Sequence, residues 1–267
     1  MYQVESRVIS NVSFFSDVTT LDRRYSDIRL IWLSCPEIAQ VVRPGQFVMV
    51  RCNSLTLPRP ISVHKVVNDS IALLFAVLAD GQGTPWLAAR QPDDIVHLVG
   101  PLGNGFAMEK AEHLLLVAGG MGIAPLYFAA DIAAQKGLPV TLLMGAKSDR
   151  LLYPAEQLPF GIEVFTATDD GSAGKLGLVT GLIPEHIARA DCVLACGPLP
   201  MYRQMADNRV ALGLADKNAL VSLEAVMGCG HGACYSCTIK TKHGLKQVCK
   251  DGPVFSLSDL MFGELGL

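Results

Sequence analysis

MGCGHGACYSCTIKTKHGLKQVCKDGPVF, residues 227–255, holds four of the eight cysteines of the chain among closely spaced glycines. Cys229, Cys234 and Cys237 are separated by four and then two residues, and eleven more separate Cys237 from Cys249. Cys-x4-Cys-x2-Cys with a distant fourth cysteine is the plant-type ligand spacing of a [2Fe–2S] cluster. Three thiolates on one short loop surround such a group only if the backbone bends tightly and approaches closely, which Gly230 and Gly232 permit. Cys249 would then close the cage from a neighbouring strand. A structural zinc site also uses four cysteines, although zinc ribbons usually present two Cys-x2-Cys knuckles and this stretch has one. Cys35, Cys52 and Cys192 lie far from the stretch and read as buried thiols that act as small hydrophobes.

Upstream, residues 110–222 alternate apolar strands with helices. The strands are expected at 114–118, 140–145, 163–168, 192–196 and 219–222, with helices near 124–136, 154–157, 182–188 and 199–212. Uninterrupted apolar strands separated by helices imply a parallel sheet covered on both faces. Gly119, Gly120 and Gly122 follow the first strand and open a helix, where nucleotides bind in open parallel sheets. Their spacing is not G-x-G-x-x-G, so a plain strand-to-helix turn stays open beside dinucleotide binding. Cys196-Gly197-Pro198 ends another strand and could line the same crevice, or Cys196 could be core.

Residues 1–109 read differently, as short β runs at 4–9, 27–33, 46–52, 61–66, 71–78 and 95–99 with one helix at 84–90. Six such strands predict a small antiparallel barrel. At the entry to the fourth, Arg59 offers a planar fork and Ser62 a hydroxyl, both suited to phosphate. Asp80-Gly81-Gln82-Gly83-Thr84 brings glycines to a helix start, where free amides attract anions. A solvated arginine and an ordinary N-capped turn explain the same residues. The expected architecture is therefore mixed β and α/β: a barrel over 1–109, an α/β nucleotide-binding domain over 110–222 and a cluster segment over 223–267.

Composition narrows the partners. Twenty-two basic and 25 acidic residues give a net charge of -3 without a basic stripe, which argues against nucleic acid or an anionic membrane surface. The start lacks a secretory pattern, and the apolar run 114–130 is punctuated by glycines and Pro125. Eight cysteines, four of them in a cluster pattern, fit a reducing cytoplasm.

Nicotinamide surrenders a hydride pair whereas an iron–sulfur cluster accepts one electron at a time. A flavin can hold zero, one or two electrons and so could mediate between them. Taken together, PRPIS, DGQGT, GPLGNGF, AGGMGIAP, TDDGSAGKLGLVT, ACGPLPM and CGHGACYSC…VCKDGPVF resemble the dihydroorotate dehydrogenase B electron-transfer subunit family, in the ferredoxin reductase superfamily. The resemblance spans nearly the whole chain in order. It implies FAD, a [2Fe–2S] cluster and NAD(H). It also implies a separate FMN-containing catalytic subunit that oxidises dihydroorotate in pyrimidine synthesis, in a heterotetramer of two of each chain. By resemblance, Arg59, Pro60, Ile61 and Ser62 form the first FAD contact, Ala76, Val77 and Leu78 the strand that follows, and Gly83 with Thr84 the last contact. Relatives often carry arginine where this chain has Leu78 and Pro58, and an aliphatic residue where it has His231. The small flavoprotein subunit of an NADH-dependent ferredoxin:NADP oxidoreductase shares the domain order, but there an aspartate often takes the position of Cys229. A non-enzymatic, zinc-stabilised nucleotide-binding module is the alternative of another class. The resemblance favours NAD over NADP, although Lys147 and Arg150 could in principle hold a 2′-phosphate.

Overall fold

A computed structural model describes residues 1–15 and 24–265. Strands β1 (Tyr2–Ser13) and β2 (Tyr25–Ser34), the turn of helix α1 (Pro36–Ala39), β3 (Phe47–Arg51), β4 (Arg59–Ser62), β5 (Lys65–Val67), β6 (Ser70–Leu78), helix α2 (Gly83–Ala88) and β7 (Ile95–Leu102) form the first unit. The sheet runs β4-β3-β7-β1-β2-β6-β5 and every pair is antiparallel. Seven strands stand where six were expected, because the run at 61–66 changes partner halfway. Val63 N–H donates to Gln46 O (3.1 Å) at one edge of the sheet and His64 N–H to Ala72 O (2.9 Å) at the other. Adjacent residues thus draw the two edges together, and the sheet curls into a barrel around Ile31, Leu33, Val48, Leu73, Phe75 and Leu98.

The second unit comprises β8 (Leu114–Gly119), α3 (Ile123–Gln135), β9 (Val140–Ala146), β10 (Glu163–Thr168), β11 (Lys175–Leu176), α4 (Ile183–His186), β12 (Cys192–Cys196), α5 (Leu199–Asp207) and β13 (Asn218–Ser222). Its strands pair in parallel in the order β11-β10-β9-β8-β12-β13. The region at 154–157 is only a turn of 3-10 helix. The helix expected to reach 212 ends at Asp207, where the Asn208 side chain donates to Gln204 O (3.0 Å) and competes with the backbone. Helix α3 is buried on nearly every side, since Leu126 and Ala130 pack on the sheet while Phe128 enters the barrel core. Residues 123–130 are apolar all round because they are wedged between two sheets, and only the last turn, with Asp131 and Gln135, reaches water. On β6, Leu73 and Phe75 point into the barrel and Leu74 points to the α/β unit, which explains a strand buried on both faces.

The cysteine stretch leads into the hairpin β14 (Thr238–Thr241) and β15 (Gly244–Gln247), then α6 (Val248–Asp251) and β16 (Val254–Ser256). Strand β16 adds to the edge of the α/β sheet, antiparallel to β13. Asn104, from the GPLGNGF stretch, pins this return. Its Nδ2 donates to Asp251 O (3.1 Å) and Val254 O (2.8 Å), and its Oδ1 accepts from Val254 N–H (3.2 Å).

Candidate cofactor crevice and cysteine loop

The four cysteines of the stretch stand as two linked pairs. Cys229 Sγ accepts from the N–H groups of Ala233 (3.2 Å) and Cys234 (3.4 Å), while Cys237 Sγ accepts from Cys249 N–H (3.5 Å). The first pair is accessible and the second is buried. Burial pulls the Cys229 thiol up, but amide N–H groups of His231, Cys234 and Ala233 outweigh it and bring it down to about 6. Ser236 donors hold Cys234 below its ordinary value, and burial pushes Cys249 up to about 12. Among the described residues no three His, Cys, Asp or Glu side chains gather tightly enough for one metal ion. Two pairs, each joined through an amide, suit a two-iron group better than one tetrahedral ion. Positive φ at Gly230 (77°) and Gly232 (90°) supplies the bends expected from the sequence. A side chain at Gly230 would meet Met49 Cγ at 2.5 Å, so glycine also lets the loop lie against the barrel. His231 Nδ1 bonds to Cys229 O (2.8 Å) on an exposed loop.

The FAD candidates converge at one barrel end. A Cβ on Gly83 would meet Arg59 Nε at 2.4 Å, so glycine there lets the guanidinium rest on the start of α2. The first N–H groups of a helix lack intrahelical partners, and a cationic fork beside them fits a phosphate. Thr84 Oγ1 accepts from Leu78 N–H (3.0 Å), tying α2 to β6 while its hydroxyl proton stays available. Ile61 and Val77 are buried in the barrel core, which leaves only their main chain for a ligand. Pro60, Ser62 and Ala76 are half-buried, and Leu78 is exposed. The loop glycine Gly228 lies close to Leu57, so the cysteine loop and the Arg59 strand end are neighbours.

A cavity of about 410 Å³ opens between the barrel and the carboxyl ends of the parallel strands. Gly119, Gly120, Gly122 and Gly197 line it, with Ile28 and Leu74 of the barrel opposite. Gly122 could not be any other residue, because its Cβ would fall 1.8 Å from Cys196 O. Cys196 itself is buried in the core and does not line the cavity; burial drives its thiol far above the ordinary range. Lys147 lines the cavity, whereas Arg150 does not.

Three features escaped the sequence reading. Glu224, two residues beyond β13, is exposed at the cavity, and partial desolvation by the protein around it raises its carboxyl. A lone acid in the apolar VSLEAVM run was the available signal. Asp169 lines the far side, just beyond β10. His64 sits at the join of the two units, with Nδ1 bonded to Ala124 O (2.9 Å) and Nε2 to Tyr153 Oη (3.1 Å). A carbonyl accepts only, so Nδ1 carries the proton and Tyr153 donates to Nε2. Burial lowers His64 to about 4. No local pattern marks that histidine, since its partners lie 60 and 89 residues away.

Residues 224–261 match the family model described as the iron-sulfur cluster binding domain of dihydroorotate dehydrogenase B. The chain is 34% identical to the dihydroorotate dehydrogenase B (NAD(+)) electron transfer subunit of Caldanaerobacter subterraneus subsp. tengcongensis, over 98% of this chain and 99% of that protein. It is 35% identical to the protein of the same name from Bacillus caldolyticus, over 84% of this chain and 89% of that one. Among solved structures, that of an NADH-dependent reduced ferredoxin-NADP oxidoreductase superposes with a TM-score of 0.83 at 26% identity, covering 97% of this chain and 91% of that one. A ferredoxin NADP+ reductase from Neisseria gonorrhoeae shares the fold at 15% identity and a TM-score of 0.63, covering 80% of this chain and 92% of that one.

Proposed function

The chain belongs to the family of dihydroorotate dehydrogenase B electron transfer subunits, and on that premise we propose how its parts divide the work. It is an NAD-linked oxidoreductase subunit with FAD and a [2Fe–2S] cluster, and it conveys electrons from dihydroorotate oxidation to NAD+. When bound, the cluster exchanges single electrons and FAD one or two, which joins a one-electron carrier to a hydride acceptor. Cys229 with Cys234, and Cys237 with Cys249, would hold the cluster. Arg59, Ser62, Gly83 and Thr84 would hold the FAD phosphates, with the main chain of Pro60, Ile61, Ala76, Val77 and Leu78 along the ring. Gly119, Gly120, Gly122 and Gly197 would admit the nicotinamide nucleotide.

One observation carries this assignment. The cysteine loop touches the barrel at Met49 and Leu57, beside Arg59, and begins directly after Glu224 of the cavity, so the three sites are contiguous. The partner would be an FMN-containing catalytic subunit, two of each chain forming the complex in the cytoplasm. Among the described residues no helix is long and apolar enough to cross a membrane. Exposed Val226 and Tyr235 flank the accessible cysteine pair, where a partner could dock. The assignment is tested by anaerobic titration of the cofactor-loaded chain with NADH. Bleaching of flavin absorption together with a reduced-cluster resonance supports it; flavin reduction with a cluster that never accepts an electron would refute the contiguous route. The similarity to the ferredoxin-NADP oxidoreductase keeps a ferredoxin-linked reading as the alternative, and co-purification of the native partner separates the two.

A further inference from the structure

The cysteine sulfurs of the loop do not all draw on the same kind of donor. Cys229 Sγ accepts from the N–H groups of Ala233 and Cys234, and Cys237 Sγ from that of Cys249. These donors belong to the main chain, so replacing the side chains that carry them leaves them in place. Cys234 Sγ lies instead 3.2 Å from the side-chain oxygen of Ser236, on the accessible side of the loop.

The direction of that bond follows from its neighbours. A serine hydroxyl has one proton and two lone pairs. Gly228 N–H donates to Ser236 Oγ (2.9 Å), which occupies one lone pair and joins the two ends of the stretch 228–236. A metal-bound cysteine is a thiolate with no proton of its own, so between Ser236 and Cys234 the hydroxyl must be the donor. The three groups gather because residue 228 is small: a Cβ there would fall 3.1 Å from Cys234 Sγ and 3.4 Å from Ser236 Oγ. The hydroxyl is thus held in place by the chain, whereas a water at the same point would first have to be ordered.

Reduction by one electron adds negative charge to an iron–sulfur group and its thiolates. A donor aimed at a ligand sulfur therefore stabilises the reduced form more than the oxidised one. We propose that the Ser236 hydroxyl, anchored by Gly228 N–H and donating to Cys234 Sγ, raises the reduction potential of the cluster and so eases its acceptance of an electron. Ser236 acts through Cys234, as a positioning residue, and is not itself a ligand. This role rests on the reading of the four loop cysteines as cluster ligands.

The test is a redox titration of the cofactor-loaded chain, followed by the electron resonance of the reduced cluster, in the parent, Ser236→Ala, Ser236→Val and Ser236→Thr. Valine and threonine match in shape and differ in the hydroxyl. Ser236 is exposed, so water partly replaces a lost donor. Ser236→Ala and Ser236→Val should still shift the ratio of oxidised to reduced cluster at a fixed potential about three- to tenfold toward the oxidised form, a fall of about 28 to 59 mV for one electron. Their iron–thiolate stretching bands in the resonance Raman spectrum should rise. Ser236→Thr should keep the parent potential and bands, and the potential of FAD should be the same in all four proteins. The parent potential in both apolar variants, or an equal fall in Ser236→Thr, would overturn the role of the hydroxyl. So would failure of both apolar variants to take up a cluster that Ser236→Thr holds, because the hydroxyl would then anchor the loop rather than tune the metal. A parent that takes up no cluster would overturn the ligand assignment itself and this role with it.

Discussion

The core of the molecule and its cysteine loop treat the same chemical groups in opposite ways. In the core, burial pushes the thiols of Cys35, Cys52 and Cys192 up to about 11 and His64 down to about 4. Each shift favours the uncharged form, as expected where water is replaced by apolar side chains. In the loop, burial also opposes charge at Cys229, yet backbone N–H groups reverse the outcome and bring the thiol to about 6. A fold therefore makes a metal-ready thiolate less by exposing it than by aiming amides at it. Cys249 marks the boundary, because it belongs to the loop set by spacing but is held up by burial like the core thiols.

The sharpest way to break this comparison is to exchange a cysteine from each region. Cys234→Ser should abolish the visible and electron-resonance signals of the cluster while flavin absorption persists, because a [2Fe–2S] group of this type takes four thiolates. Cys192→Ser should keep both signals at the parent intensity. Equal cluster content in the two variants would dissolve the distinction.

A second effect belongs to the core alone. His64 is neutral in the folded chain above about pH 4, whereas an unfolded histidine takes a proton near 6.5. The unfolded state thus binds the proton first as pH falls. Stability from the neutral ring is complete above about pH 6.5 and is lost toward pH 4, about 3 kcal/mol in all. Urea midpoints at pH 7 and 4.5 should converge in His64→Gln relative to the parent. Identical pH dependence in both proteins would mean that His64 does not carry the loss.

The third effect concerns what holds the two regions together. Asn104→Ala removes three hydrogen bonds, one to the last residue of α6 and two to Val254, worth about 0.7 kcal/mol each. Global stability should fall by about 2 kcal/mol, and hydrogen exchange should accelerate at Val254 and its neighbours more than in the barrel core. Uniform acceleration across the chain would show that Asn104 is not a local clamp.

These cases also show what the sequence reveals. Cys-x4-Cys-x2-Cys is legible because its ligands are near neighbours in the chain and only spacing is required. The glycines after β8 are legible as a turn, but Gly122 is required by a carbonyl of β12, 74 positions away, which no local pattern displays. The run at 61–66 reads as one strand because β-branched Ile61, Val63 and Val66 recur in it with no glycine or proline between them; its division depends on Gln46 and Ala72, which recruit its two halves to opposite sheet edges. Cys196 ends a strand at the crevice, yet its side chain falls on the core face. Glu224 and Asp169 gain meaning only once five strands are aligned side by side.

The central claim is that this chain conveys electrons but does not itself oxidise dihydroorotate. It is met most directly by following NADH formation from dihydroorotate and NAD+ with the cofactor-loaded chain, alone and after a verified complex with a dihydroorotate dehydrogenase B catalytic subunit has formed. The account predicts NADH only from the complex, with the Cys234→Ser chain failing in it despite normal assembly. NADH from the isolated chain, or none from the verified complex, would contradict it.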